Sequence, residues 1–169
     1  MTDTSPAQTP ITTAPRNIEK TVADIAVAGS LATVAFDIFG QAISPGLGFA
    51  GLSPVPLANQ VISTLTGQGW MPGAHALHYA AGVIGYPLGW FLIGEPLRRK
   101  FTPSLPWYAA AAAYGVGLWI FALYVMASLI AGMPPFLGFT GITWVALVGH
   151  VLFALVAAAV LRARRGGDD

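Results

Sequence analysis

The chain has 169 residues, of which 55% are hydrophobic and only 9% charged, where an ordinary soluble domain carries about 25% charged residues. That deficit excludes a surface that faces water on all sides and points to a single lipid-embedded domain. The absence of cysteine excludes disulfides, iron–sulfur clusters and thiolate metal sites, and a net charge of +1 gives no reason to expect nucleic acid as a partner.

Residues 1–20 are rich in Ser, Thr, Pro and Ala. They carry too little apolar surface to offset their ordering entropy and are expected to form a disordered cytoplasmic tail. No short apolar stretch before residue 21 suggests a cleavable signal peptide, and the first apolar segment is expected to remain as an anchor. The transmembrane domain is expected over 21–165, with a short tail at 166–169.

Four apolar stretches follow, at Val22–Ile43, Ala74–Gly94, Trp107–Ala131 and Thr140–Leu161. Each is near or above the ~20 residues that cross ~30 Å of hydrocarbon, and only helices satisfy their own backbone in lipid at that length. Pro106 precedes the third stretch, where its missing N–H is not needed. The predicted fold is all-α: an integral membrane four-helix bundle with a short extra helix in the first outer loop. That loop, about Ser44–Gly73, has no charged residue but has several prolines and glycines. Within it, Leu57, Val61, Ile62 and Leu65 would share one face of a helix lying on or dipping into the membrane.

All the Lys and Arg residues fall on one side of this topology. Arg16 and Lys20 precede the first span, Arg98, Arg99 and Lys100 lie between the second and third, and Arg162, Arg164 and Arg165 follow the fourth. The positive-inside rule then puts both termini in the cytoplasm, and a bacterial inner membrane is the expected location. The basic ends would also suit anionic lipid head groups. Trp70, Trp107, Tyr108 and Trp144 fit an interfacial aromatic belt, whereas Trp90 and Trp119 lie deeper and would face lipid.

Ionisable groups inside spans need a reason. Asp24, near the cytoplasmic start of the first span, is expected to reach water and to favour the positive end of the helix dipole. Asp37 lies deeper, in a small and polar stripe of Gly29, Thr33, Asp37 and Gln41 that should face other helices. Histidine is the only cationic partner available there. His75 and His78 stand at the outer end of the second span, and His150 lies about ten residues into the fourth. His78, Gly82, Gly85 and Gly89 form one candidate packing seam, and His150, Ala154 and Ala157 another. His78 and His150 would meet at similar depth beside Asp37, a parallel that hints at a duplicated two-helix unit.

Such a trio has four readings. It is a structural hydrogen-bond cluster, a haem b site with His78 and His150 as ligands and Asp37 orienting one ring, a proton or ion path through Asp37, or a single metal ion held by imidazole and carboxylate. On the third span, Tyr114, Gly117, Phe121, Tyr124 and Ser128 recur at helical spacing, which suits interhelical packing or a pigment, quinone or lipid site. There is no phosphate loop, nucleophile elbow or HExxH motif, and the outer segments lack charge, which argues against an enzyme.

The sequence Gly-Ser-Leu-Ala-Thr at Gly29–Thr33, the proline-containing first outer loop, His78-Tyr79-Ala80-Ala81-Gly82 and Gly149-His150 resemble small bacterial inner-membrane proteins of the YagU-like kind over most of 22–161. The resemblance implies the four-span architecture and intramembrane histidines, and no activity. The expected function is a non-enzymatic structural or accessory component with no cofactor, and haem b is the alternative. Its partners would be the lipid bilayer, with other membrane-protein subunits or a second copy.

Overall fold

The computed structural model describes residues 18–166, in five helices. They are α1 (Ile18–Gly46), α2 (Pro54–Thr66), α3 (Met71–Phe101), α4 (Trp107–Ile130) and α5 (Gly141–Arg164). The expected tails therefore fall almost wholly outside the described residues, and Ile18–Lys20 already belong to α1. All but α2 are long enough to cross a bilayer. Their 24 to 31 residues extend about 36–46 Å at the α-helical rise, against the ~30 Å of hydrocarbon. Their outward faces present Val34, Leu92 and Val148, each more than half exposed. Apolar surface on that scale is stable against lipid and not against water. The chain is a multi-pass membrane protein, and its fold is the all-α four-helix bundle that the sequence predicts.

Three of the long helices are not regular. Each short π-helical stretch, Phe39–Ile43, Ala81–Gly85 and Trp90–Gly94, ends two residues before a proline: Pro45, Pro87 and Pro96. A proline donates no N–H to the carbonyl four residues back and its ring pushes that carbonyl away. The carbonyls concerned belong to Gln41, Val83 and Leu92, each at the centre of its π turn. Widening the turn is a way to re-satisfy the backbone where no water is available. A longer π stretch, Phe121–Ile130 in α4, has no such proline; we have no physical account of it. Helix α5 is regular throughout.

The helices are ordered α3, α1, α5, α4 around the bundle. Half of the apolar window of α5 is buried, against 17% of that of α3, so α5 is the central element and α3 the peripheral one. Two seams depend on glycine. A methyl group on Gly29 of α1 would overlap the backbone carbonyl of Val83, and one on Gly115 of α4 would overlap the backbone of α5 at His150 and Val151. Helices α3 and α4 approach each other chiefly at the end that carries the basic residues, where the Trp90 and Tyr114 rings meet with centroids 5.6 Å apart. At the opposite end they diverge, and α2 lies across the gap, packed on the start of α3 and on the π stretch of α4.

Several expectations need correction. Asp24 does not reach water. Its side chain is 3% exposed and accepts a hydrogen bond from Arg164 Nε at 2.7 Å, tying the start of α1 to the end of α5. Trp90 is buried rather than facing lipid. In α2 the buried positions are Ala58 and Val61, while Leu65 is exposed, because α2 docks on protein through Ala58 and Val61 and turns Leu65 outward. Gly85 lies off the α3 seam, since the π turn between it and His78 breaks the 3.6-residue period. On α4 the packed face is Ala111, Gly115, Leu118 and Ala122, and Gly117 and Tyr124 are exposed. Ser44–Gly46 and Glu95–Phe101, expected in connections, continue α1 and α3.

Replacing Gly29 by Leu should destabilise the bundle by about 1–3 kcal/mol through overpacking, a fall of roughly 2–12 °C in thermal midpoint in detergent. The same change at Gly117, which faces open space, should leave the midpoint within about 1 °C. Equal midpoints for the two variants would show that the α1–α3 seam is looser than described.

Candidate functional site

The gap between α3 and α4 is not filled by side chains. It holds a cavity of about 620 Å³, roofed by α2 and walled by all four long helices. That volume lies within the range of small-molecule sites, about 300–1,000 Å³. Its walls are chiefly apolar and aromatic, with Phe36, Tyr86, Phe121 and Phe153 around the middle. Tyr86 stands edge-on to Phe153 and Phe121, at centroid distances of 5.7 and 6.5 Å. The polar side chains in the walls that come from the long helices, apart from Tyr86, are Thr33, His78 and His150; Ser53 and Gln60 come from the exposed side of the roof.

His150 is buried. Its Nδ1 donates to the carbonyl oxygen of Ala146 one turn earlier, at 2.7 Å, and Phe36 meets the ring edge-on at 5.1 Å. A carbonyl only accepts, so the proton is on Nδ1. In the neutral ring, Nε2, on the far side from the helix backbone, then carries a lone pair.

His78 is held differently. Its Nε2 lies 3.2 and 3.3 Å from the two carboxylate oxygens of Asp37. Asp37 Oδ1 also accepts from Gln41 Nε2 at 3.0 Å. Gln41 is exposed, Asp37 is 21% exposed and His78 borders the cavity. The three side chains form a hydrogen-bonded chain from the surface of the bundle to its interior. Thr33, one turn before Asp37 on the same face, is 3% exposed and its hydroxyl has no hydrogen-bond partner. It stands against Gly82, where a methyl group would collide with it.

The structure thus joins Asp37 to His78 and not to His150, while both histidines border one cavity. His75 stands outside it, stacked near Tyr79. Among the described residues no three His, Asp or Glu side chains converge as metal ligands. The sequence pattern points to the histidines and to the Thr33–Asp37 stripe. It misses Phe36, Tyr86 and Phe153, whose only signal is their aromatic character at helical spacing from Thr33, Gly82 and His150. It also misses the cavity itself, which depends on the divergence of α3 from α4.

A second cavity, of about 450 Å³, opens at the basic end between α3 and α5. Its cations are engaged: Arg99 is 2.7 Å from Glu95, Arg162 lies over Trp107, and Arg165 lies over Phe91. These contacts pack the end of the bundle. Arg98 adds a two-nitrogen contact to Glu95 at 2.8 Å and reaches the Leu105 carbonyl, closing the link to α4.

No protein family, curated protein or solved structure matches this chain.

Imidazole ¹⁵N spectra of the protein in detergent should show His150 as the Nδ1–H tautomer, with the Nε2 resonance at an unprotonated shift. An Nε2–H signal for His150 would contradict the Ala146 contact.

Proposed function

We propose that this is a non-enzymatic accessory membrane protein that holds a small lipophilic molecule in the half of the bundle covered by α2. The observation that carries the proposal is the cavity. A bundle built only to pack closes its interior, because unfilled space forfeits dispersion contacts. Here four helices and a roof border a half-open space with room for a molecule, with apolar walls and a few polar groups at depth, which is the usual composition of a ligand site. The basic ends, read by the positive-inside rule, support an orientation with this half in the outer leaflet, and a bacterial inner membrane is the membrane we propose.

A proton or ion path is the second reading, supported by the Gln41–Asp37–His78 chain. It lacks a continuation. On α5, from His150 towards the basic end, the buried residues are Phe153, Ala154, Ala157, Ala158 and Leu161, and among the described residues the next buried polar group at that end is Asp24, which already accepts from Arg164. Haem b remains a candidate occupant, with His78 Nδ1 and His150 Nε2 as the nitrogens open to iron.

Native mass spectrometry of the protein released from its own membranes should show one lipophilic adduct per chain, of a single chemical class. An absorbance spectrum of the same sample assigns haem if a Soret band appears and shifts on reduction. Bare protein, or the bulk phospholipid mixture in place of a defined adduct, would overturn the proposal.

A further inference from the structure

The polar groups on the cavity wall also constrain the ligand's chemistry, on the reading that the cavity holds one. Burial of a polar group without a partner costs free energy, so an occupant that satisfies those groups is selected over one that does not. His150 spends its proton on Ala146, and its other nitrogen offers a lone pair. If Nε2–H of His78 is donated to Asp37, that ring likewise leaves a lone pair on Nδ1. Thr33 also borders the cavity, but its hydroxyl is sealed in the seam against Gly82. The histidines are acceptors in want of a donor. A carbonyl or ether oxygen on the ligand would face them lone pair to lone pair, whereas a hydroxyl would not.

The walls add a second condition. Phe36, Phe153, Tyr86 and Phe121 line the cavity, with Phe36 in contact with His150. These rings pack edge-on against their neighbours, and the surface they turn to the cavity can receive a planar ring in edge or offset contact, worth about 0.5–1.5 kcal/mol per pair beyond burial. Further out, the lining is aliphatic and thioether, with Leu57, Leu77, Met126 and Met133, which suits a flexible apolar tail.

We infer that the cavity binds a lipophilic phenol, a hydroxylated aromatic ring on an apolar tail, whose hydroxyl donates to Nε2 of His150. A hydroquinone, whose second hydroxyl would be directed to the His78 side of the cavity, belongs to the same class. The ring lies among the four aromatic side chains, and the tail runs under α2.

The test is equilibrium binding to the full chain in lipid nanodiscs, with 4-nonylphenol, its methyl ether 4-nonylanisole, and 1-dodecanol as probes. The phenol should bind about tenfold tighter than the ether, the ratio expected for one buried hydrogen bond made or left unmade, and tighter than the alcohol. In His150→Leu the preference of phenol over ether should vanish. The wild-type comparison alone decides the matter should that variant fail to fold. Equal binding of phenol and ether, or tighter binding of the ether, would overturn the inference and leave the cavity reading intact. Tighter binding of 1-dodecanol would show that an aliphatic alcohol is the preferred donor and would overturn the aromatic part. Binding of none of the three would remove the cavity reading and the inference together.

Discussion

The approach of α1 to α3 at Gly29 and Val83 is the contact on which the other features depend. Pro87 cannot donate to the Val83 carbonyl, and the chain widens into a π turn at Ala81–Gly85. A carbonyl on a widened turn needs room on the neighbouring helix, and Gly29 supplies it by having no side chain. The same register then places Thr33, one turn further along α1, against Gly82, and Asp37, one turn beyond that, against His78, one turn back from Gly82 along α3. Lipid provides no hydrophobic drive to hold helices together, so close backbone approach and interhelical polar contacts must do so. In this seam they occur side by side.

That seam pulls α3 towards α1, and Gly115 brings α4 onto α5. With α1 and α5 packed between them, α3 and α4 meet chiefly towards the basic end, where Trp90 and Tyr114 join and the Tyr114 hydroxyl donates to the Tyr86 carbonyl. The opposite end opens, and α2 closes it from above. The cavity is the geometric consequence of two tight glycine seams on opposite sides of a bundle with only four long helices. The polar groups that border it come from elements already fixed for other reasons: Thr33 from the α1 seam, His78 from the Asp37 contact, and His150 from its own helix. A ligand in the proposed site would meet groups held in place before it arrives, which would lower the ordering cost of binding.

Much of this fold was legible in the sequence because lipid leaves few alternatives. Long apolar stretches must be helices, and the clustering of Lys and Arg at one end follows from chain order alone. The Gly29–Thr33–Asp37–Gln41 stripe was legible too, since period and polarity coincide, and the structure packs its first two members. What failed was what depends on departures from regular helix. Pro87 moved Gly85 off its face, and the prolines at 45, 87 and 96 were the available signal for the π turns. Asp24 looked like a water-facing carboxylate because its partner, Arg164, lies 140 residues away. Trp90 looked like a lipid-facing ring because burial in a bundle is set by which helices touch, and no periodic pattern encodes that. The cavity was invisible for the same reason, although three of its polar residues, Thr33, His78 and His150, were singled out.

The interior between α3 and α4 is open while the seam around α5 is closed. Thermal midpoints of Ala81→Phe and Ala157→Phe in the same detergent distinguish the two. Ala81 borders the cavity outside the buried core, and Ala157 lies within the core. Ala81→Phe should be tolerated within about 1 kcal/mol or stabilise slightly by filling space, whereas Ala157→Phe should lose about 3 kcal/mol or more to overpacking. Equal losses at both positions would mean that the bundle has no space to offer a ligand.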